Sequence, residues 1–97
     1  MILVNLQLKI KPEVRKEFIE WFHSILPDTR SYQGCSALYC CSLEGDAEAV
    51  EVVSKWESKS HYDDYLKWRE ESGDLDVLGN FLAADPVFRF LSVDLEL

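Results

Sequence analysis

The segment "MILVNLQLKI" constrains the fold more than any other stretch of the chain. Ile2, Val4, Leu6, Leu8 and Ile10 alternate with Leu3, Asn5, Gln7 and Lys9, and a side-chain period of two marks a β-strand. The apolar set has to face a core, so the neighbouring sequence must supply a cover. It does: Pro12 suits a first helical turn, and Val14, Phe18, Phe22 and Ile25 recur at spacings of four, four and three, the stripe of an amphipathic helix. The pattern predicts a helix from about Pro12 to Leu26, with Pro27 ending or kinking it and "DTR" adding at most an irregular turn.

The remaining elements follow from the same periodicities. "QGCSALYCCSL" and "AVEVVSKW", joined by the turn residues of "EGDAE", read as a β-hairpin. Ser58 suits the N-cap of a second helix that carries Tyr62, Tyr65, Leu66 and Trp68 and fades at "EESGD". Leu75, Leu78, Phe81 and Leu82 predict a further short helical piece, loosely bounded by Gly73 and Gly79. A last strand covers "PVFRFLSVDLEL", where Val87, Arg89, Leu91, Val93 and Leu95 alternate with Phe88, Phe90, Ser92 and Asp94. The order β-α-β-β-α-β describes a ferredoxin-like α+β fold, a four-stranded antiparallel sheet with its helices on one face.

The other face then needs burial as well. Leu3, Val53, Phe88 and Phe90 fall on strand faces opposite a set that is also apolar, a pattern of sheets buried on both sides. A homodimer with two sheets packed face to face, a dimeric α/β barrel, supplies that burial. The alternative is a monomer with a few exposed apolar side chains.

Composition narrows the partners. At 97 residues the chain is expected to form one domain over residues 1–97. With 47% hydrophobic and 29% charged residues, four Gly and three Pro, it has the composition of a folded protein and not of a disordered one. Eighteen acidic side chains against ten Lys and Arg give a net charge of −8, which repels a phosphate backbone or an anionic bilayer. No nucleic acid and no membrane are therefore expected as partners. The start of the chain lacks a basic n-region, and its apolar residues alternate with polar ones, so no export signal is read. No apolar run approaches the roughly 18 residues that cross a bilayer. Cys35, Cys40 and Cys41 are odd in number and strand-borne; adjacent strand residues point to opposite faces, so reduced, buried thiols are expected, in keeping with a cytoplasmic protein.

Motifs for common chemistries are missing. The sequence has no GxGxxG, GxxxxGK[ST], HExxH, GxSxG or CxxC. His23 and His61 with three strand cysteines make no credible ligand set, so no metal and no cofactor are expected. The densest cluster of chemistry-bearing side chains is the join "EVVSKWESKSHYDDYLKWR". Tyr62, Tyr65 and Trp68 share a helical stripe there, which serves either a core or a pocket wall; Tyr65 reads as the pocket candidate and Tyr62 and Trp68 as packing. His61 falls in the first turn of its helix and reads as a solvated surface residue, and Glu57, Asp63 and Asp64 as a solvated acidic rim. His23 sits beside Phe22 and could reach a pocket from above, but no carboxylate stands at a matching spacing.

Gly34, Cys35, Trp56, Glu57, Ser58, Tyr62 and Leu66 together resemble the pattern of the antibiotic biosynthesis monooxygenase (ABM) superfamily. In that family a Gly-Cys often opens the second strand, and a Trp-Glu-Ser-like triplet closes the third before a helix with an aromatic and a leucine. The resemblance covers nearly the whole chain in element order and length. It implies a dimeric α/β barrel with a pocket between sheet and helices of each protomer. Better-known members oxidise aromatic polyketides to quinones with oxygen and neither metal nor flavin, or cleave haem, or act on quinols.

By the resemblance, Trp56 is the strand-end tryptophan and Asn5 corresponds to a first-strand asparagine used by some members. Tyr65 stands where many members have a histidine and the haem-cleaving ones a tryptophan, and Leu75 falls where the latter hold iron with a histidine; leucine cannot ligate a metal, so haem cleavage is disfavoured.

A cofactor-free oxygenation of a phenol needs a group to take the phenolic proton, a donor for the developing oxyanion and a water-poor slot. Asn5, Trp56 and Tyr65 are therefore the candidate catalytic residues: Asn5 as donor, Tyr65 as proton relay, with His61 a weaker choice, and Trp56 as wall and N–H donor. A cavity of roughly 300 Å³ or more touched by all three is expected if the chain binds such a molecule. Asn5 shares a face with Leu3 and Gln7, and the competing reading gives it only a hydrogen bond across the dimer. The competing function is a non-catalytic dimeric barrel that binds a small hydrophobic ligand or serves as a stress-response or assembly module.

Overall fold

The computed structural model covers residues 1–97. The chain runs β1 (Ile2–Lys9), α1 (Arg15–Ser31), β2 (Cys35–Leu43), β3 (Asp46–Trp56), α2 (Lys59–Glu71), α3 (Asp74–Phe81) and β4 (Val87–Ser92). A 3₁₀ turn, Pro12–Val14, leads into α1. The strands form one antiparallel sheet in the order β2-β3-β1-β4. This is the ferredoxin-like α+β fold that the periodicities predict, with β1 and β3 at its centre. No helix is long and apolar enough to cross a membrane.

Strand register assigns every side chain to a face. Val4 is opposite Ser54 and Phe90, Leu6 opposite Val52 and Phe88, and Leu8 opposite Val50, and directly opposed residues point the same way. These meet the helices. Phe18, Phe22 and Leu26 of α1 and Leu78 of α3 close over Leu8, Ile10, Val50 and Val52, while Tyr62 and Tyr65 of α2 close over Val4 and Trp56. Phe18 stacks on Phe22 at 4.8 Å between ring centroids and meets Phe81 edge-on at 5.5 Å. Phe88 and Phe90 thus belong to the helix-covered face. The apolar residues of the open face are Leu3 and Val53, with Val87 and Leu91 from β4 and Tyr39 from β2.

Four expectations need correction. First, α1 does not stop at Pro27 but runs on to Ser31. Pro27 and His23, four residues back, are both exposed, so the backbone bond that proline cannot make is lost on the solvent side. The buried face continues through Leu26 and Thr29. Second, β4 ends at Ser92, short of the alternation that continues to Leu95. Beyond Ser92 no strand pairs with it, so alternation has no ladder to hold. Third, the hairpin closes on the two residues Glu44 and Gly45, Gly45 having φ 83°, and Asp46 already belongs to β3. Fourth, the thiols are unpaired as expected, but Cys41 is exposed and Cys35 and Cys40 are half-buried. Adjacent positions on an edge strand face opposite ways.

The Gly-Cys at the start of β2 has a local cause. Gly34 has φ 96°, and a Cβ on it would lie 2.7 Å from the His61 side chain. The backbone of β2 can approach the first turn of α2 only because that atom is missing.

Candidate active site

The cleft lies between the helix-covered face of the sheet and the three helices. Leu6, Val52, Ser54 and Phe88 form its floor, Trp21, Ile25 and Thr29 of α1 one wall, Tyr62, Tyr65 and Arg69 of α2 the other, and Asp74, Leu75 and Leu78 of α3 its end. Counted out to its open mouth the cleft is about 570 Å³, of which about 50 Å³ is wide enough for the centre of a water molecule. That core has room for roughly three or four waters, short of the expected cavity of roughly 300 Å³, and of Asn5, Trp56 and Tyr65 only Tyr65 lines it. A groove of about 210 Å³ adjoins it across Leu75, Leu78 and Phe88 and continues along Gly79, Leu82 and Pro86. A ligand of drug-like size needs both spaces.

One polar cluster sits in this apolar frame. Tyr65 Oη lies 2.7 Å from Thr29 Oγ1 and accepts from Arg69 Nε at 3.0 Å. Arg69 Nη2 donates to Thr29 Oγ1 at 2.9 Å and to the Ile25 carbonyl at 2.8 Å, and Nη1 donates to Asp74 Oδ2 at 2.8 Å. Ser72 Oγ donates to the same carboxylate oxygen. The guanidinium is 4% exposed and lies 4.5 Å from the Trp68 ring centroid. Burial works against its charge, but the hydrogen bonds and charges of Tyr65 and Asp74 more than offset it, so its pKa lies above the ordinary arginine value. The pair with Asp74 ties α2 to α3, and the bonds to Ile25 and Thr29 tie α2 to α1.

The three candidate residues are not brought together. Tyr65 lines the cleft. Trp56 is fully buried behind it, 5.2 Å from Tyr65 between ring centroids, and its indole N–H donates to Ser54 Oγ at 2.8 Å. It braces the wall from behind and has no donor left to offer a ligand. Asn5 lies on the opposite, open face of the sheet, across from Val53 and Arg89, because odd-numbered residues of β1 alternate away from the helices. Its Nδ2 donates to Glu51 Oε1 at 3.2 Å, and its buried Oδ1 has no partner.

Tyr62 lines the cleft beside Tyr65, whereas Trp68 stacks on Tyr32 at 5.3 Å. His23 is exposed. Ser58 caps α2, its Oγ accepting from the His61 N–H. His61 Nδ1 lies 2.7 Å from that hydroxyl and Nε2 3.5 Å from Glu57 Oε2, a serine-histidine-carboxylate row. It lies outside the cleft, and the serine already serves the cap, so it is a helix terminus and not a hydrolytic centre.

Sequence reasoning missed Arg69, Thr29 and Asp74. Arg69 follows Tyr65 by four residues and Tyr62 by seven, so the buried stripe itself pointed to it. Thr29 was hidden behind Pro27.

Comparison with known proteins places this geometry. The structure superposes on one called an antibiotic biosynthesis monooxygenase with a TM-score of 0.87 at 16% identity, covering 96% of this chain and 98% of that one. A Deinococcus radiodurans protein named as a candidate of the same kind gives 0.88 at 13%, covering 100% and 96%. A conserved protein from Methanosarcina mazei Go1 gives 0.83 at 18%, covering 92% and 88%. At such identities the likeness shows the fold alone. No curated protein is a detectable sequence relative. The model of the family described as antibiotic biosynthesis monooxygenase matches residues 1–70, from β1 to the Tyr65–Arg69 turn of α2, and the chain belongs to that family.

Proposed function

We propose that the protein is a small, cofactor-independent monooxygenase acting on an aromatic or quinone-like compound in the cleft between sheet and helices. The observation that carries this reading is the Tyr65 hydroxyl, set at the inner end of an apolar cleft and bridged by Arg69 and Thr29. In such a reaction a substrate CH₂ beside a phenol becomes C=O, one atom of O₂ entering the product and the other leaving as water. The protein's share is to take the phenolic proton and to hold the developing oxyanion away from water. Tyr65 is the proton relay, passing the phenolic proton on through the Thr29 hydroxyl to water at the cleft mouth, with Arg69 the charge that steadies it and Trp56 the brace that fixes the Tyr65 ring. Asn5 belongs to a second part of the proposal, a cytoplasmic homodimer joined through the open sheet face.

The test is oxygen uptake by the purified protein with anthrones and hydroquinones under air. Tyr65→Phe should lower the rate by about 10²-fold or more. Uptake no faster than that of the variant would count against catalysis. One observation favours a second reading: the Tyr65 hydroxyl is already bonded on two sides, as a packing residue would be. A non-catalytic barrel would bind the same compounds and consume no oxygen.

A further inference from the structure

The hydrogen bonds at the inner end of the cleft can be counted. Arg69 Nε donates to Tyr65 Oη and Nη2 to Thr29 Oγ1, so one cation occupies an acceptor site on both hydroxyls. The two oxygens also lie 2.7 Å apart, so one hydroxyl donates to the other. Each carries a single hydrogen; one of the two fills the bond between them. The second has no carbonyl or carboxylate to receive it, since each hydroxyl has hydrogen bonds only to its mate and to Arg69. Both residues line the cleft.

We infer that the Thr29–Tyr65 pair presents one hydroxyl hydrogen to the cleft and docks an acceptor oxygen there, such as the carbonyl of a neutral, otherwise apolar ligand. The charges favour a neutral ligand. Arg69 and Asp74 are the charged residues of the lining and lie 2.8 Å apart as an ion pair, which leaves no net positive charge for a carboxylate or phosphate. An anion would have to draw Arg69 from partners that already take four of its five N–H groups. The ligand's apolar body then lies toward Leu75, Leu78 and Phe88 and into the groove beyond, where Gly79 leaves open space.

This inference rests on the cleft being a ligand site, and its test separates the two. 1-Tetralone, tetralin and 1-naphthoate share a bicyclic frame and differ in offering a neutral acceptor, no acceptor or an anion. Their affinities are read by quenching of tryptophan fluorescence, Trp21 being part of the cleft, and the tetralone carbonyl stretch by difference infrared spectroscopy. The expected result is tetralone bound about tenfold more tightly than the other two, the worth of one hydrogen bond from a buried donor, with its carbonyl stretch lowered relative to alkane solvent. Equal binding of tetralone and tetralin with an unshifted carbonyl would overturn the donor assignment and leave the ligand site standing. Preference for naphthoate would overturn the charge argument. No binding by any of the three would overturn the ligand site itself.

Discussion

Tyr62 lies beside Tyr65 in the cleft and is almost fully buried, and its burial gives stability a pH dependence. Burial first, then Tyr65 and Asp63 nearby, push the Tyr62 phenol well above the ordinary tyrosine range. An unfolded tyrosine loses its proton near about pH 10, whereas the folded one keeps it. Above that pH the unfolded state therefore binds fewer protons, and stability falls by about 1.4 kcal/mol per pH unit; below it the contribution is fully present. Cys35 and Cys40, also raised by burial, act in the same direction from a lower starting pH. Urea unfolding at alkaline pH should show a shallower decline for Tyr62→Phe than for the parent, by about 1 kcal/mol per pH unit. Equal declines would mean that the phenol ionises in the folded state. At this scale the sequence was only partly legible. Periodicity located Tyr65, and the alternation of β1 already set Asn5 opposite the apolar face that the helices cover; Asn5 was assigned to the cleft through resemblance alone. Trp56 was found, but its N–H is consumed by Ser54, a partner two residues away on the same strand face.

The elements were more legible than their ends. Alternation and helical stripes are set by burial, which acts over whole segments, so the element order could be read directly. Ends depend on single backbone groups and on which side meets solvent. Pro27 shows this. It lies inside α1, four residues after His23, with both exposed, and the helix survives because α1 is held from below by Phe22, Leu26 and Thr29. The missing bond is still a cost. Replacing Pro27 with alanine restores an N–H for the His23 carbonyl. Proline costs about 3 kcal/mol in a helix interior, and stiffening of the unfolded chain returns up to about 1 kcal/mol, so Pro27→Ala should stabilise by about 2 kcal/mol. Thermal unfolding followed by circular dichroism should shift upward by about 8–16 °C at this chain length. An unchanged midpoint would show that α1 is bent around Pro27 in a way alanine does not relieve. The outcome bears on the site, because the turn after Pro27 carries Thr29.

At the scale of the molecule the unsettled surface is the open face of the sheet. Leu3 and Val53 at its centre are half-buried, while Tyr39, Val87 and Leu91 around them are 64%, 49% and 41% exposed. Asn5 Oδ1 lies among them, buried and without a donor. Two such faces stacked about 10 Å apart would bury the apolar residues, and a two-fold axis would set each residue type near its own copy or a fixed partner. If the proposed homodimer forms this way, sedimentation equilibrium should give twice the 11.2 kDa chain mass. Val53→Lys should return it to one chain. In a monomer the lysine stem can lie along the sheet with its charge in water, so the fold should persist, as far-UV circular dichroism would report. In a dimer each copy would bury an unpaired ammonium, an effective cost of several kcal/mol per ion, enough to weaken association by about a thousandfold or more. Glu20→Lys, a charge change of the same sign and twice the size on the exposed side of α1, should leave the dimer intact and so controls for net charge. A parent protein that sediments at one chain mass, or a Val53→Lys variant that stays dimeric, would remove the open face as the interface. Asn5 would then be left as a surface hydrogen bond to Glu51, with no partner in trans.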